Sequence, residues 1–312
     1  MNRIGKECPA TSERAASSGS LSLANHGARG PFRRAAVLLS LLSSAIAVIA
    51  LASHATGYLT PARLGTDYVP TLPTTAVFLV LAAMILLLRP ARPAWAWRLA
   101  LVLAGWTLLG AERPAVALLT HGDSLAQALR QRHLCIGPFE LGWVSPINAA
   151  FFIILCIALM LLARKNQTHR GHNASAILAS IVGCGAAVIL IGYLYNAPLL
   201  YGGDVAAMAP ATAVADLCLS LAIILSAGIG SVPLRYFYGR SALAQLMRAF
   251  LPLSLAAVLV QSALDRLLQE NPRWNQTLPS ALSAIVFTII TGFVVAHVAK
   301  IIGTAMDRSD ER

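Results

Sequence analysis

Eight long apolar runs divide this sequence, leaving only short polar stretches between most of them. They cover Ala35–Ser53, Pro73–Leu88, Ala94–Gly110, Pro146–Ala163, Ala176–Tyr195, Pro210–Ile229, Leu246–Asp265 and Pro279–Ile302. At about 1.5 Å per helical residue, each run spans or nearly spans the ~30 Å of hydrocarbon in a bilayer. Lipid offers no water to satisfy a backbone N–H or C=O, so each run must be a helix rather than an open strand. The composition agrees, with 57% apolar and only 12% charged residues, against about 25% charged in a soluble domain. The mean hydropathy is +0.68. These values exclude a soluble globular enzyme, a disordered protein and a disulfide scaffold. The expected fold is an all-α integral membrane protein of about eight transmembrane helices arranged as four helical hairpins. Residues 1–34, polar and rich in Ser, Ala and Gly, read as a disordered cytoplasmic N-terminal tail. Residues 35–303 form the membrane domain, and 304–312 a short cytoplasmic tail.

The net charge of +11 points to membrane topology rather than to nucleic acid, because basic residues collect in cytoplasmic loops beside anionic lipid. With eight helices, both termini lie on one side. That side holds 18 of the 24 Lys and Arg, including Arg33, Arg34, Arg89, Arg92, Arg164 and Arg235. The other side holds Arg63, Arg113, Arg130, Arg132, Arg266 and Arg273, together with Asp67, Asp123, Glu140, Asp204 and Glu270. The expected location is a bacterial inner (cytoplasmic) membrane, multi-pass, with both termini cytoplasmic. The five cysteines are scattered, without CxxC or Cys/His metal spacing.

The helices that return toward the charged side share an opening. TLPTTAVF carries Pro73, Thr75 and Ala76; VSPINAAF carries Pro146, Asn148 and Ala149; MAPATAVA carries Pro210, Thr212 and Ala213. TLPSALSA, with Pro279 and Ala281, is a weaker version. Proline suits the first helical turn because its missing N–H would be unpaired there. The Thr or Asn is expected to meet local backbone groups near the helix start, and the Ala to permit close approach of a neighbouring helix. The repeat unit is then a hairpin whose second helix starts at the proline. Arg33, Arg34 and the first run also imitate a cleavable signal peptide. Retention as a first helix is the preferred reading, since cleavage would orphan the first hairpin.

From Gly192, the string IGYLYNAPLLYGGDVAAMAPATAVADLCLSLAIIL resembles the polytopic membrane sensor region of bacterial sensor histidine kinases and diguanylate cyclases. The string PLRYFYGRSALAQLMRAFLPLSLAAVLV resembles the next cytoplasmic loop and helix of the same proteins. The resemblance implies the input half of a sensor. Its output half is missing after AMDRSDER, and GGDVA at Gly202–Ala206 is a loop turn rather than a cyclase signature. Asp216 stands where that family normally has Ala or Leu.

Asp216 is also the sharpest anomaly in its own right, since ionisable residues inside membrane helices usually face a partner or a wet cavity. Thr212, Asp216 and Ser220 are four residues apart and share one helix face. A functional polar site, an interhelical hydrogen bond with Gln261 or Ser262, and a lipid-interface position all fit that placement. Tyr193, Tyr195 and other loop aromatics read first as belt residues anchoring helix ends in the headgroup zone. The functional alternative is an aromatic-lined pocket for an amphiphile, with Asn196 and Asn148 as polar contacts. Together Asp216, Thr212, Asn148, Tyr193, Tyr195 and Asn196 are the candidate ligand-binding residues. The loop 111–145 contains GDSLAQALRQRHL, expected as a short amphipathic helix on the membrane surface.

No catalytic constellation is visible: no HExxH, no P-loop and no Ser/His/Asp set at one depth. The chain is therefore read as no enzyme, with no cofactor and no metal. His54 and His297 fall near opposite ends of the bilayer, whereas two haem-ligating imidazoles need similar depth. The expected function is an inner-membrane sensory or accessory module that detects a membrane-associated or periplasmic signal and relays it to a cytoplasmic partner. A small-molecule transporter and a structural subunit of a larger membrane complex are the alternatives. The expected partners are the lipid bilayer and either a cytoplasmic signalling protein or membrane-complex subunits, with no nucleic acid.

Overall fold

A computed structural model of the chain describes residues 10–63, 68–119, 134–136, 139–141, 145–164, 168–194, 208–238 and 242–269, with isolated positions between 285 and 292. The described chain is overwhelmingly helical. The helices are α1 (Ala10–Thr56), α2 (Thr60–Arg63), α3 (Pro73–Leu88), α4 (Pro93–Leu119), α5 (Pro146–Ala163), α6 (His169–Leu194), α7 (Pro210–Ala227), α8 (Leu234–Phe237) and α9 (Ala242–Gln269). One short antiparallel ladder pairs β1 (Leu134–Ile136) with β2 (Phe139–Leu141), with Cys135 opposite Glu140.

Four described helical segments are long and apolar enough to cross a membrane: Gly30–Thr56, Pro146–Ala163, His169–Tyr193 and Pro210–Ala227. Pro73–Leu88 is also apolar but shorter. The outer faces fit a lipid environment. Leu38 is 66% and Leu108 71% exposed, and Ile157, Ile181 and Val188 also point outward. Polar residues take the inside: Ser40, Ser43, Thr71, Thr75, Asn148, Thr212, Asp216 and Ser220 are all buried. Exposed apolar faces around a partly polar interior invert the soluble pattern.

Two boundaries differ from the sequence expectation. Helix α1 begins at Ala10, inside the stretch read as a disordered tail, and runs through Pro31. Its Ser and Gly content does not favour a helix, and nothing local in the sequence explains this start. Helix α4 likewise continues past Gly110 to Leu119. Residues 120–133, which include most of the expected amphipathic segment, and the 304–312 tail lie outside the described residues.

Three helices form the centre of the bundle. α3, α5 and α7 touch one another, and these are the three that open with Pro73, Pro146 and Pro210. Each remaining long helix of the bundle bridges two of them: α1 packs on α3 and α7, α4 on α3 and α5, and α6 on α5 and α7. The arrangement is cyclic, since each of α1, α4 and α6 contacts the central helix that follows it in sequence and one other central helix.

The three openings are alike atom for atom. Pro73, Pro146 and Pro210 each occupy the first helical turn, and none of the residues before them makes a side-chain cap. The first backbone bond is then made by the motif alanine: Ala76 N–H to Leu72, Ala149 to Ser145 and Ala213 to Ala209, at 2.9–3.1 Å. The same alanines are buried.

Two glycines permit close packing on α6. A Cβ at Gly183 would lie 3.3 Å from the Ser220 Cβ, and one at Gly185 only 2.4 Å from the Phe151 ring. At the centre, the Phe78 and Phe152 rings stack with centroids 3.8 Å apart. Helix α7 ends at Gly228, whose φ of +93° an L side chain rarely adopts.

Candidate functional site

The repeated polar residue of each central helix is turned across the bundle, not onto its own helix start. Asn148 donates from Nδ2 to the Thr75 hydroxyl at 3.2 Å, and the Thr212 hydroxyl donates to that of Thr71, also at 3.2 Å. This corrects the expectation of local capping. Proline leaves the first turn with one donor fewer to satisfy, so the side chain at Pro+2 is available for a neighbouring helix. His54, near the end of α1, donates from Nε2 to the Thr71 carbonyl at 2.8 Å. His54, Thr71 and Thr212 thus form one bonded set and Thr75 with Asn148 another, both where the central helices begin. Thr75 was legible only as a member of the repeat and His54 only as a histidine at a run's end, while Thr71, two residues before the proline, carried no signal of its own.

Asp216 lies one turn deeper on α7. It is 0% exposed, which removes the lipid-interface position. Neither carboxylate oxygen has a hydrogen-bond partner among the described residues. The Ser220 hydroxyl, one turn further along the same face, is likewise unpartnered among them, as is the buried Ser43 hydroxyl on α1. The side chains of Gln261 and Ser262 lie outside the described residues. A buried polar group without a partner costs about 1–3 kcal/mol, and more when charged.

Tyr193 is buried, which corrects its reading as a headgroup-belt residue. Its hydroxyl donates to the Met208 carbonyl, and its ring meets Tyr68 edge-on at 5.1 Å. It ties the end of α6 to the residues leading into α7, beside Ala213 and Ile189. Tyr195 and Asn196 lie outside the described residues. Of the candidate residues, Thr212 and Asn148 each bond to a different threonine at the start of α3, Asp216 lies one turn further along α7, and Tyr193 stands at the entry to α7. Among the described residues, no group of three His, Cys, Asp or Glu side chains could hold a metal ion.

The opposite end of α7 carries a second feature. Arg89, just past α3, donates from Nη1 to the Ser226 carbonyl at 3.0 Å. Burial lowers its pKa from the ordinary guanidinium value. Beside this bond is a cavity of about 860 Å³, lined by residues from α1, α6 and the ends of α3 and α7. Helices α3 and α7 are therefore bonded to each other at both ends, by Thr71–Thr212 and by Arg89–Ser226.

Comparison with protein-family models, with curated proteins and with solved structures finds no match to this chain.

Proposed function

We propose that the protein is a multi-pass sensory or accessory module of the bacterial inner membrane. In this reading it has eight spans arranged as four hairpins, with both termini cytoplasmic. It responds to a membrane-associated or periplasmic signal at the polar cluster around Thr212, Asn148 and Asp216, and it passes the response to a cytoplasmic partner. The observation that carries this reading is the two-ended bonding of α3 to α7. A change in hydrogen bonding around Thr212 alters the seating of α7, and the same helix ends at the Arg89 bond on the basic side. The physical mechanism is a shift between two packings of α7, biased by differential contacts to the signal.

Affinity capture of the full chain from native membranes tests the relay. The expected result is a specific cytoplasmic protein whose recovery changes in Asp216→Asn and in Thr212→Val, while both variants remain in the membrane. Equal recovery from the wild type and both variants overturns it, as does the absence of any cytoplasmic partner.

One observation favours a second reading, a small-molecule transporter: the two unpartnered oxygens of Asp216 inside the bundle. Such a carboxyl is the kind of group that carrier proteins use for a coupling ion or proton. Solute uptake by reconstituted vesicles that is lost in Asp216→Asn would select this reading over the relay.

A further inference from the structure

The unsatisfied groups on the inner faces of α5 and α7 are of one chemical kind. Asp216 Oδ1 and Oδ2, Asn148 Oδ1 and Ser220 Oγ are buried and have no hydrogen-bond partner among the described residues. A carboxylate or amide oxygen can only accept. Asn148 is bonded to Thr75 through Nδ2, so its Oδ1 is turned away from that threonine. Ser220 differs from other hydroxyls on these helices. Ser40, Ser53, Thr107 and Ser180 each donate to the carbonyl four residues back, at 2.7–2.8 Å. Ser220 makes no such bond, and α6 passes it at Gly183, without a side chain.

The three residues occupy adjacent turns. Helices α3 and α7 run parallel, since they are bonded start to start and end to end. Thr212 bonds to Thr71, and Asn148 bonds to Thr75 four residues on. Asp216, four residues after Thr212, therefore lies within about one helical turn (5.4 Å) of the depth of Asn148. Ser220 follows on the same face of α7.

We propose that Asp216, Asn148 and Ser220 hold a monovalent alkali cation inside the bundle. Hard cations take oxygen ligands, whereas transition metals favour imidazole or thiolate. One carboxylate balances one positive charge, and a divalent ion would leave a net charge buried in the membrane. A proton on Asp216 would itself need an acceptor, and would leave Asn148 Oδ1 as it is. The inference deepens, and rests on, the reading of Thr212, Asn148 and Asp216 as the functional site. The ion is then the signal of the relay or the coupling ion of the transporter.

The test is thermal unfolding of the full chain in uncharged detergent, in sodium, potassium or choline chloride at fixed ionic strength. Titration calorimetry follows with whichever ion gives the larger rise in Tm. The expected result is a Tm several degrees higher in sodium, potassium or both than in choline, saturating as for a single site. Asp216→Asn keeps the shape and should remove the rise. Ser220→Ala should raise the half-saturating concentration about tenfold. Ser40→Ala, which removes a buried hydroxyl beside the Arg89 cavity, should leave it unchanged. Which salt acts assigns the preferred ion. Equal Tm in all three salts overturns the proposal, as does a rise that persists in Asp216→Asn or is unaltered in Ser220→Ala. The measurement needs neither partner nor flux. Its failure therefore removes the ion alone, while failure of partner capture and of solute uptake removes the relay and the transporter and leaves a measured ion site in place.

Discussion

The Thr212 hydroxyl lies 3.2 Å from the Thr71 hydroxyl, although the two residues are 141 positions apart in the chain. Both are buried, and the Thr71 carbonyl separately accepts from His54. Three helices are thereby joined through one threonine. Lipid tails are as apolar as leucine, so membrane helices associate through packing and such polar contacts, not through exclusion of water.

The energy of this link is measurable by a double-mutant cycle with Thr71→Val and Thr212→Val. Valine keeps the shape and leaves the His54 bond to the Thr71 backbone in place. The expected coupling is about 0.6 kcal/mol and at most about 1.7 kcal/mol, as for other interhelical bonds in membranes. Reversible unfolding in mixed micelles reads it. A coupling indistinguishable from zero would show that the hydroxyl pair does not join α3 to α7.

Asp216 makes the opposite prediction. A buried group whose oxygens have no described partner destabilises the fold, so Asp216→Leu, of similar length, should stabilise the protein by about 1–3 kcal/mol. The same variant should abolish the activity of the cluster, whether relay or transport. This pairing of gained stability with lost function is what a residue retained for function produces. Destabilisation by Asp216→Leu would mean that the carboxyl is satisfied in the membrane and holds the bundle together.

Gly185 sets how closely α6 approaches α5. With its Cβ position 2.4 Å from the Phe151 ring, Gly185→Ala forces the ring or the helix to move. Overpacking of this kind costs about 1–3 kcal/mol. A second change, Phe151→Leu, shortens the opposing side chain and should recover most of the loss. If Gly185→Ala is silent, or if Phe151→Leu adds to its cost, the close contact between these helices is not as described.

The legible part of the fold was local. The prolines at 73, 146 and 210 fix where three helices begin, because a residue lacking N–H is favourable in a first turn, and the helices start there. Gly228 ends α7 two residues before the apolar run does, since its positive φ breaks the helix whatever the hydropathy of Ile229. The partners of the polar residues were not legible. A pattern of Pro, any residue, then Thr or Asn places a side chain on a face without saying which helix meets that face. Asn148 and Thr75 could therefore be recognised as equivalent positions but not as a bonded pair. The cavity beside Arg89 was hidden for a different reason. Arg33 and Arg89 each belong to a loop excess of positive charge, and only the packing of α1 against α3 and α7 brings them to one space.

That packing also sharpens the proposed topology. The turn after α3 carries Arg89 and Arg92, and the turn after α5 carries Arg164 and Lys165, so the two should share a compartment. The bond between Arg89 and Ser226 brings the end of α7 to the same level. The starts of α3 and α7 meet at Thr71 and Thr212, so the segment 195–207 should face the other compartment. Alkaline phosphatase, active only outside the cytoplasm, should be inactive when fused after Arg92 or Arg164 and active when fused after Gly203. Substitution of Arg89 and Arg92 together by Gln should raise activity at the first site while leaving the third unchanged, because charge close to a helix end biases its orientation. Phosphatase activity after Arg92 in the wild type would reverse the assignment of the Arg89 end of the bundle to the cytoplasmic side, and the direction of the proposed relay would reverse with it.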